Sequence, residues 1–303
     1  FSSLNEALES AVSGSTIILQ ANTDESITIV EGLSITLNLN GYTITNSEGQ
    51  NTITVEGELT IVDDTGNGTI DNTSNGKSAI YNNGTVTIKS GNITKSVNVA
   101  GNTYYVVFNH GTMSIEGGHI YSDGTAASSL IVNGYSQPAT MTISGGHIEF
   151  WFNAVKNEEY GTLTVTGGTI DSDHQSIQNW NVATITGGTF NGEVATWHYN
   201  ANHGSHTMTI EGGTFNDDVY TAKYVDDLET GDIGAITADP QITIKGGVFN
   251  GRFLTIKGDL TNSEILTPTE DEKYDWMDVS GGTFTNPVED RFLAPGFALT
   301  GND

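Results

Sequence analysis

One nine-residue phrase recurs eight times between residues 85 and 284. It reads TVTIKSGNI at 85–93, TMSIEGGHI at 112–120, TMTISGGHI at 140–148 and TLTVTGGTI at 162–170. VATITGGTF at 182–190, TMTIEGGTF at 207–215, QITIKGGVF at 241–249 and WMDVSGGTF at 276–284 complete the series. A looser copy opens with ELTIV at 58. Start-to-start distances range from 20 residues (162 to 182) to 35 (241 to 276). A phrase returning at such intervals marks units that stack one on the next, each burying its apolar face against its neighbours.

The second and fourth letters are apolar, as in Val86 and Ile88 or Met113 and Ile115, and the first and third are mostly Thr or Ser. That alternation is a strand with one face buried. The glycines that follow permit a sharp bend and a close backbone approach. The ninth letter is apolar again (Ile120, Phe190, Phe215, Phe284), so the chain turns back onto the same core. A propeller blade needs about 40–45 residues, more than any of these intervals supplies. The expected fold is all-β, a parallel β-helix of about ten or eleven coils, on the order of 50 Å long at a strand spacing of about 4.8 Å.

A second register accompanies the first. An apolar residue followed two positions later by Asn precedes the phrases: Ile80 and Asn82, Val107 and Asn109, Ile131 and Asn133, Val155 and Asn157, Ile177 and Asn179. Equal parity turns these amides inward, where each can donate and accept along the stack as an asparagine ladder. Leu4, Ala7, Leu8, Ala11 and Val12 fall on one helical stripe before Ser13-Gly14, which predicts a short N-terminal helix capping the open end. One domain over 1–303 is expected: 1–14 as cap, 15–284 as coils and 285–303 as a closing segment.

The opening helix, the TIIL strand and ITLNLNGYTI at 35–44 resemble the start of pectate-lyase-like right-handed β-helix domains in bacterial surface proteins. The TISGGTF-type phrase resembles the repeats of large extracellular proteins of Gram-positive, gut-type bacteria, and 281–303 resembles their closing segment. The resemblance implies a secreted or wall-attached protein of which this chain is one part. Within that superfamily the function ranges over lyases, hydrolases, adhesins and passive stalks, so the fold alone does not select among them.

Composition narrows the partners. Lys plus Arg is 10 against 37 Asp plus Glu, a net charge of −27, which suits neither nucleic acid nor anionic membrane. Cysteine is absent, which excludes disulfides and thiol catalysis. No membrane insertion is expected.

Function is sought in the connections between copies. They lengthen after residues 197, 223 and 256, taken as the equivalents of the ladder Asn, so that 198–206, 224–240 and 257–275 form an elaborated edge. Tyr135, Tyr160, Trp180, Trp197, His198, Tyr199 and Tyr224 lie on or beside these connections, accompanied by Glu158, Glu159, Asp226 and Asp227. Aromatic faces beside carboxylates suit sugars, whose C–H faces stack on rings while hydroxyls donate to carboxylates. The expected ligand-binding set is Trp180, Trp197, His198, Tyr199, Tyr160, Tyr224, Asp226 and Asp227, contacting a glycan or a host surface protein.

A catalytic set is not evident. Lyase chemistry on this fold needs a strong base beside clustered acids, and Arg252 and Arg291 are the only arginines. Asp171 with Asp173, Glu158 with Glu159, and Asp226 with Asp227 qualify as hydrolase pairs by residue type alone. No cofactor is expected. Ca²⁺ is the one ion the acidity suits, and Asp63-Asp64-Thr65-Gly66-Asn67-Gly68 has oxygen ligands at a Ca²⁺-loop spacing, but the closing acid is replaced by Ser74, so a turn is the better reading. An adhesin-like binding module is the first expectation, a polysaccharide-active enzyme the second and a spacer the third.

Overall fold

The computed structural model describes residues 1–96, 105–125, 127–199, 204–225, 239–259 and 275–301. It is a right-handed parallel β-helix. Each coil visits three sheets in turn. Among the described residues sheet A has eleven strands, from Ser15–Ile18 through the phrase strands to Met277–Val279. Sheet B also has eleven, from Thr23–Asp24 to Thr283–Phe284, and sheet C has ten, from Ile27–Ile29 to Phe253–Asp259. Every strand pairs in parallel with its counterpart one coil away, so identical letters of the phrase stack on one another, as Val86 on Met113 and Met113 on Met141.

The interior is a set of such rows. The ninth letters run Ile93, Ile120, Ile148 and Ile170, then change to Phe190, Phe215, Phe249 and Phe284. These phenylalanine rings stack face to face, with centroids 4.8, 4.7 and 5.5 Å apart. The spacing of parallel strands thus delivers aromatic stacking with no departure from the coil.

The two glycines of the bend have separate tasks. Gly146 has φ of 83°, a region L side chains avoid, whereas at Gly145 the limit is space: a Cβ there would lie 2.2 Å from the Glu116 carbonyl oxygen. Close stacking of one bend on the next excludes a side chain at that position.

The asparagine ladder is present. Asn82 Nδ2 donates to Asn109 Oδ1 at 2.6 Å, Asn109 to Asn133 and Asn133 to Asn157 at 2.7 Å each, and Asn157 to Asn179 at 2.8 Å. Each amide nitrogen also donates to a carbonyl at the start of a phrase strand, and Asn82, Asn109 and Asn179 each accept an N–H two residues ahead. The buried groups are therefore partnered in both directions.

Two expectations need correction, the reach of the cap helix and the late ladder register. The cap helix spans Leu4–Glu9 rather than reaching residue 14, because Ser10 closes it. Leu4 and Leu8 are buried while Val12 is exposed. The segment 34–44 is two strands, Ser34–Asn38 and Thr43–Thr45, broken where Asn40 and Gly41 take positive φ. Past Asn179 the ladder register falls on Thr196, Thr221 and Thr255, not on Trp197, Lys223 and Ile256. A bulge between Gln175 and Ile177 shifts the pairing there.

The run at 63–68 is a turn joining the strands Glu58–Val62 and Thr69–Asp71. Asp63 clamps it: its carboxylate accepts from Gly41 N at 2.7 Å, Gly68 N at 2.8 Å and the Thr65 hydroxyl. Burial works against this charge, but the hydrogen bonds together outweigh it and hold the Asp63 pKa below its ordinary value. In the closing segment Phe292 is fully buried and Val279 bridges to Leu293. Among the described residues no helix is long and apolar enough to cross a membrane.

Candidate functional site

In sheet C the two flanking residues of each three-residue unit point inward and the middle one outward. In register the middle residues read Tyr81, Phe108, Val132, Lys156 and Gln178. Tyr81, Phe108 and Lys156 of this row line a hollow of about 690 Å³ on the outer face, whereas Val132 and Gln178 are buried and do not. Tyr81 and Phe108 stack with centroids 5.2 Å apart and planes 14° from parallel. Tyr105 and Tyr135 meet Phe108 edge-on at 5.3 and 6.2 Å, and His110 wedges against both rings of the stacked pair. Tyr135 is 51% exposed, so it rims the hollow.

The far wall is charged. Lys156 Nζ lies 3.6 Å from the centre of the Trp180 ring and 2.8 Å from Glu158 Oε1. The ammonium is thus held between an aromatic face and a carboxylate, which fixes the orientation of both. Burial, with Glu158 and Tyr135 adding to it, raises the Tyr105 phenol to about 12, so its proton stays on at physiological pH. Burial likewise lowers the pKa of His110. A neutral aromatic floor beside an oriented carboxylate can stack on an apolar ring face and accept from its hydroxyls.

The expected ligand-binding residues divide. Trp180 lines this hollow, with Tyr135, Glu158 and Glu159. Tyr160 sits at the coil edge, where its backbone N–H donates to Gly134 O at 3.1 Å, and does not line the hollow. Trp197 is partly buried against the core, its ring 6.5 Å from that of Tyr220. His198 is buried and stacks on His206 at 4.0 Å, whose Nδ1 lies 2.8 Å from the Trp197 carbonyl oxygen. Tyr199 and Tyr224 pair backbone to backbone where the strands Glu193–Tyr199 and Val219–Val225 run on past the ladder. Asp226 and Asp227 lie outside the described residues, as does most of the three long connections.

Sequence reasoning passed over Tyr81, Tyr105 and Phe108. The signal for two of them was present, since Tyr81 and Phe108 stand between the members of the apolar–Asn pairs.

A second hollow, about 460 Å³, opens on the outer face of sheet B, lined by Asp123, Glu149, Trp151, Asp171, Asp173 and Asn191 among others. Beside it His119 and His147, the eighth letters of successive phrases, pair in register, and so do Tyr121 and Glu149. The two imidazoles stack with centroids 4.7 Å apart and planes 4° from parallel, and Tyr121 covers His119 at 4.5 Å. His147 Nε2 is 2.6 Å from Asp171 Oδ2, and His119 Nε2 is 3.3 Å from Glu149 Oε2. Burial first, then the neighbouring His147, lowers the His119 pKa against the pull of Glu149.

The two arginines sit elsewhere. Arg252 pairs with Asp218 at 2.6 Å and Arg291 with Glu289 at 2.8 Å, and neither lines either hollow. Comparison with family models, with curated proteins and with solved structures finds no match for this chain.

Proposed function

We propose that this chain is an extracellular binding module that holds a glycan in the hollow on the outer face of sheet C. The observation that carries the reading is the stacked Tyr81–Phe108 pair, flanked by the rim ring of Tyr135 and faced by the oriented Lys156–Glu158–Trp180 group. The stacked pair turns its ring edges outward as an apolar floor, and the half-exposed Tyr135 ring at the rim offers the aromatic surface on which a sugar can pack. The net charge of −27 agrees with solubility outside a cell. The likeness of the phrase and the opening segment to pectate-lyase-like domains of Gram-positive surface proteins supports the same setting, as a secreted or wall-attached part of a longer adhesin-like protein. Host glycoprotein sugars are then the natural ligands.

A glycan array with the purified chain tests the reading, followed by calorimetry on the best ligand. Phe108→Ala and Trp180→Ala are each expected to weaken binding at least tenfold, with the unfolding midpoint shifted little. An array without hits, or a hit whose affinity neither substitution alters, overturns the proposal.

A further inference from the structure

We propose that His119, His147 and Glu149, with Asp171 as fourth donor, form a site for a divalent transition ion such as Zn²⁺ on the outer face of sheet B. One ligand atom from each of the first three lies within 4.8 Å of the others. The fourth stands at hydrogen-bond distance, Asp171 Oδ2 being 2.6 Å from His147 Nε2, so the ion would displace the proton between them and open the pair to about 3.3 Å.

The coil produces this convergence. His119 and His147 are paired across neighbouring strands, so their rings are parallel one strand spacing apart. Glu149 stands two residues after His147 in the strand His147–Phe150, on the same face. Asp171 is the partner of Glu149 in the next coil. Four donors thus come from three successive coils onto one patch, and none requires a loop to hold it.

Tetrahedral Zn²⁺ takes nitrogen at about 2.0–2.1 Å and carboxylate oxygen at about 2.0–2.2 Å, which sets donors roughly 3.3 Å apart. The 3.3 Å between His119 Nε2 and Glu149 Oε2 already meets that figure. The Nε2 atom of His119 is sheltered from solvent and makes no well-directed hydrogen bond, so no strong contact has to be broken for it to turn toward an ion. Two imidazoles with two carboxylates select Zn²⁺, Cu²⁺ or Ni²⁺, whereas Ca²⁺ and Mg²⁺ prefer an all-oxygen shell. Two supports lock the donors: Tyr121 packs on the His119 ring, and Asn191 Nδ2 donates to the second oxygen of Asp171. The ion would sit at the margin of the sheet B hollow, which Glu149 and Asp171 line and the two histidines do not.

The test is calorimetric titration of tag-free, chelator-treated protein with ZnCl₂, beside CaCl₂ and MgCl₂. One Zn²⁺ per chain is expected, accompanied by a rise in the unfolding midpoint. His119→Ala, His147→Ala and Glu149→Gln should each weaken binding at least tenfold. His174→Ala should leave it unchanged, because the His174 Nδ1 faces Glu193 Oε2 at 3.3 Å rather than the four donors. Since these side chains stand half-exposed on the sheet, circular dichroism should show the variants folded. Failure to take up Zn²⁺, equal binding by the double variant His119→Ala/His147→Ala, or a preference for Ca²⁺ over Zn²⁺ would each overturn the proposal. None of these results bears on glycan binding at sheet C.

Discussion

Asn179 ends its ladder on a hydroxyl: its Nδ2 meets Thr196 Oγ1 at 3.4 Å, where the links below span 2.6–2.8 Å. The amide chain thus has a first member, Asn82, with one side-chain neighbour, interior members with two, and a weak terminus. Beyond it the same inward register continues as Thr196, Thr221 and Thr255. Removing an interior amide strips the donor of one neighbour and the acceptor of another, all in a buried row.

Asn133→Ala should therefore cost about 3 kcal/mol, since an unsatisfied buried polar group costs about 1–3 kcal/mol and more than one is created. Asn82→Ala should cost roughly half as much, because it disturbs a single link of the ladder. Urea unfolding of both variants checks the order, and equal losses would mean that the amides act singly rather than as a chain.

The glycine pair gives a second contrast. Gly66 has φ of 81° with open space around it, so Gly66→Ala meets only backbone strain, about 1 kcal/mol. Gly145 lacks a positive φ, yet its added methyl would strike the Glu116 carbonyl at 2.2 Å. Relief requires two stacked coils to part, so Gly145→Ala should cost about 3 kcal/mol or more. Thermal unfolding of the two variants decides whether stacking distance or φ dominates at the bends.

These particulars show how far the residue order reads through to the structure. The Asn register was legible because parity and a fixed two-residue offset repeat five times. Its continuation was not, because the residue type changes to Thr while a bulge at Gln175–Ile177 moves the frame. In the same way Ser90 replaces the first bend glycine without harm, its hydroxyl bonded to the Asp63 backbone of the turn below. The sheet C hollow depends on Tyr81 and Phe108 arriving one above the other, which needs the pairing of coils as well as the residues. The histidine pair on sheet B was visible as one letter shared by two successive phrases. It was overlooked because the regular copies read as scaffold and the connections as the place for chemistry.

A buried lysine and a half-buried tyrosine set opposite trends at alkaline pH. Lys95 is fully buried, its Nζ donating to Ser74 O at 2.6 Å and to Lys77 O. Burial lowers its pKa to about 8, against the pull of Asp71. Unfolded lysine titrates near 10.4, so between about pH 8 and 10 the unfolded chain holds the extra proton and stability rises with pH. Tyr105 runs the other way, because its folded pKa of about 12 lies above the value near 10 of a free phenol. From about pH 10 to 12 the unfolded chain releases the proton first, and stability falls. Urea unfolding across this range should show the wild type gaining on Lys95→Met between pH 8 and 10, then losing ground to Tyr105→Phe above pH 10. A constant gap in the first window would mean that Lys95 keeps an ordinary pKa inside the coil. A constant gap in the second would mean that the floor of the sheet C hollow is wet, which would also weaken its case as an apolar surface for sugars.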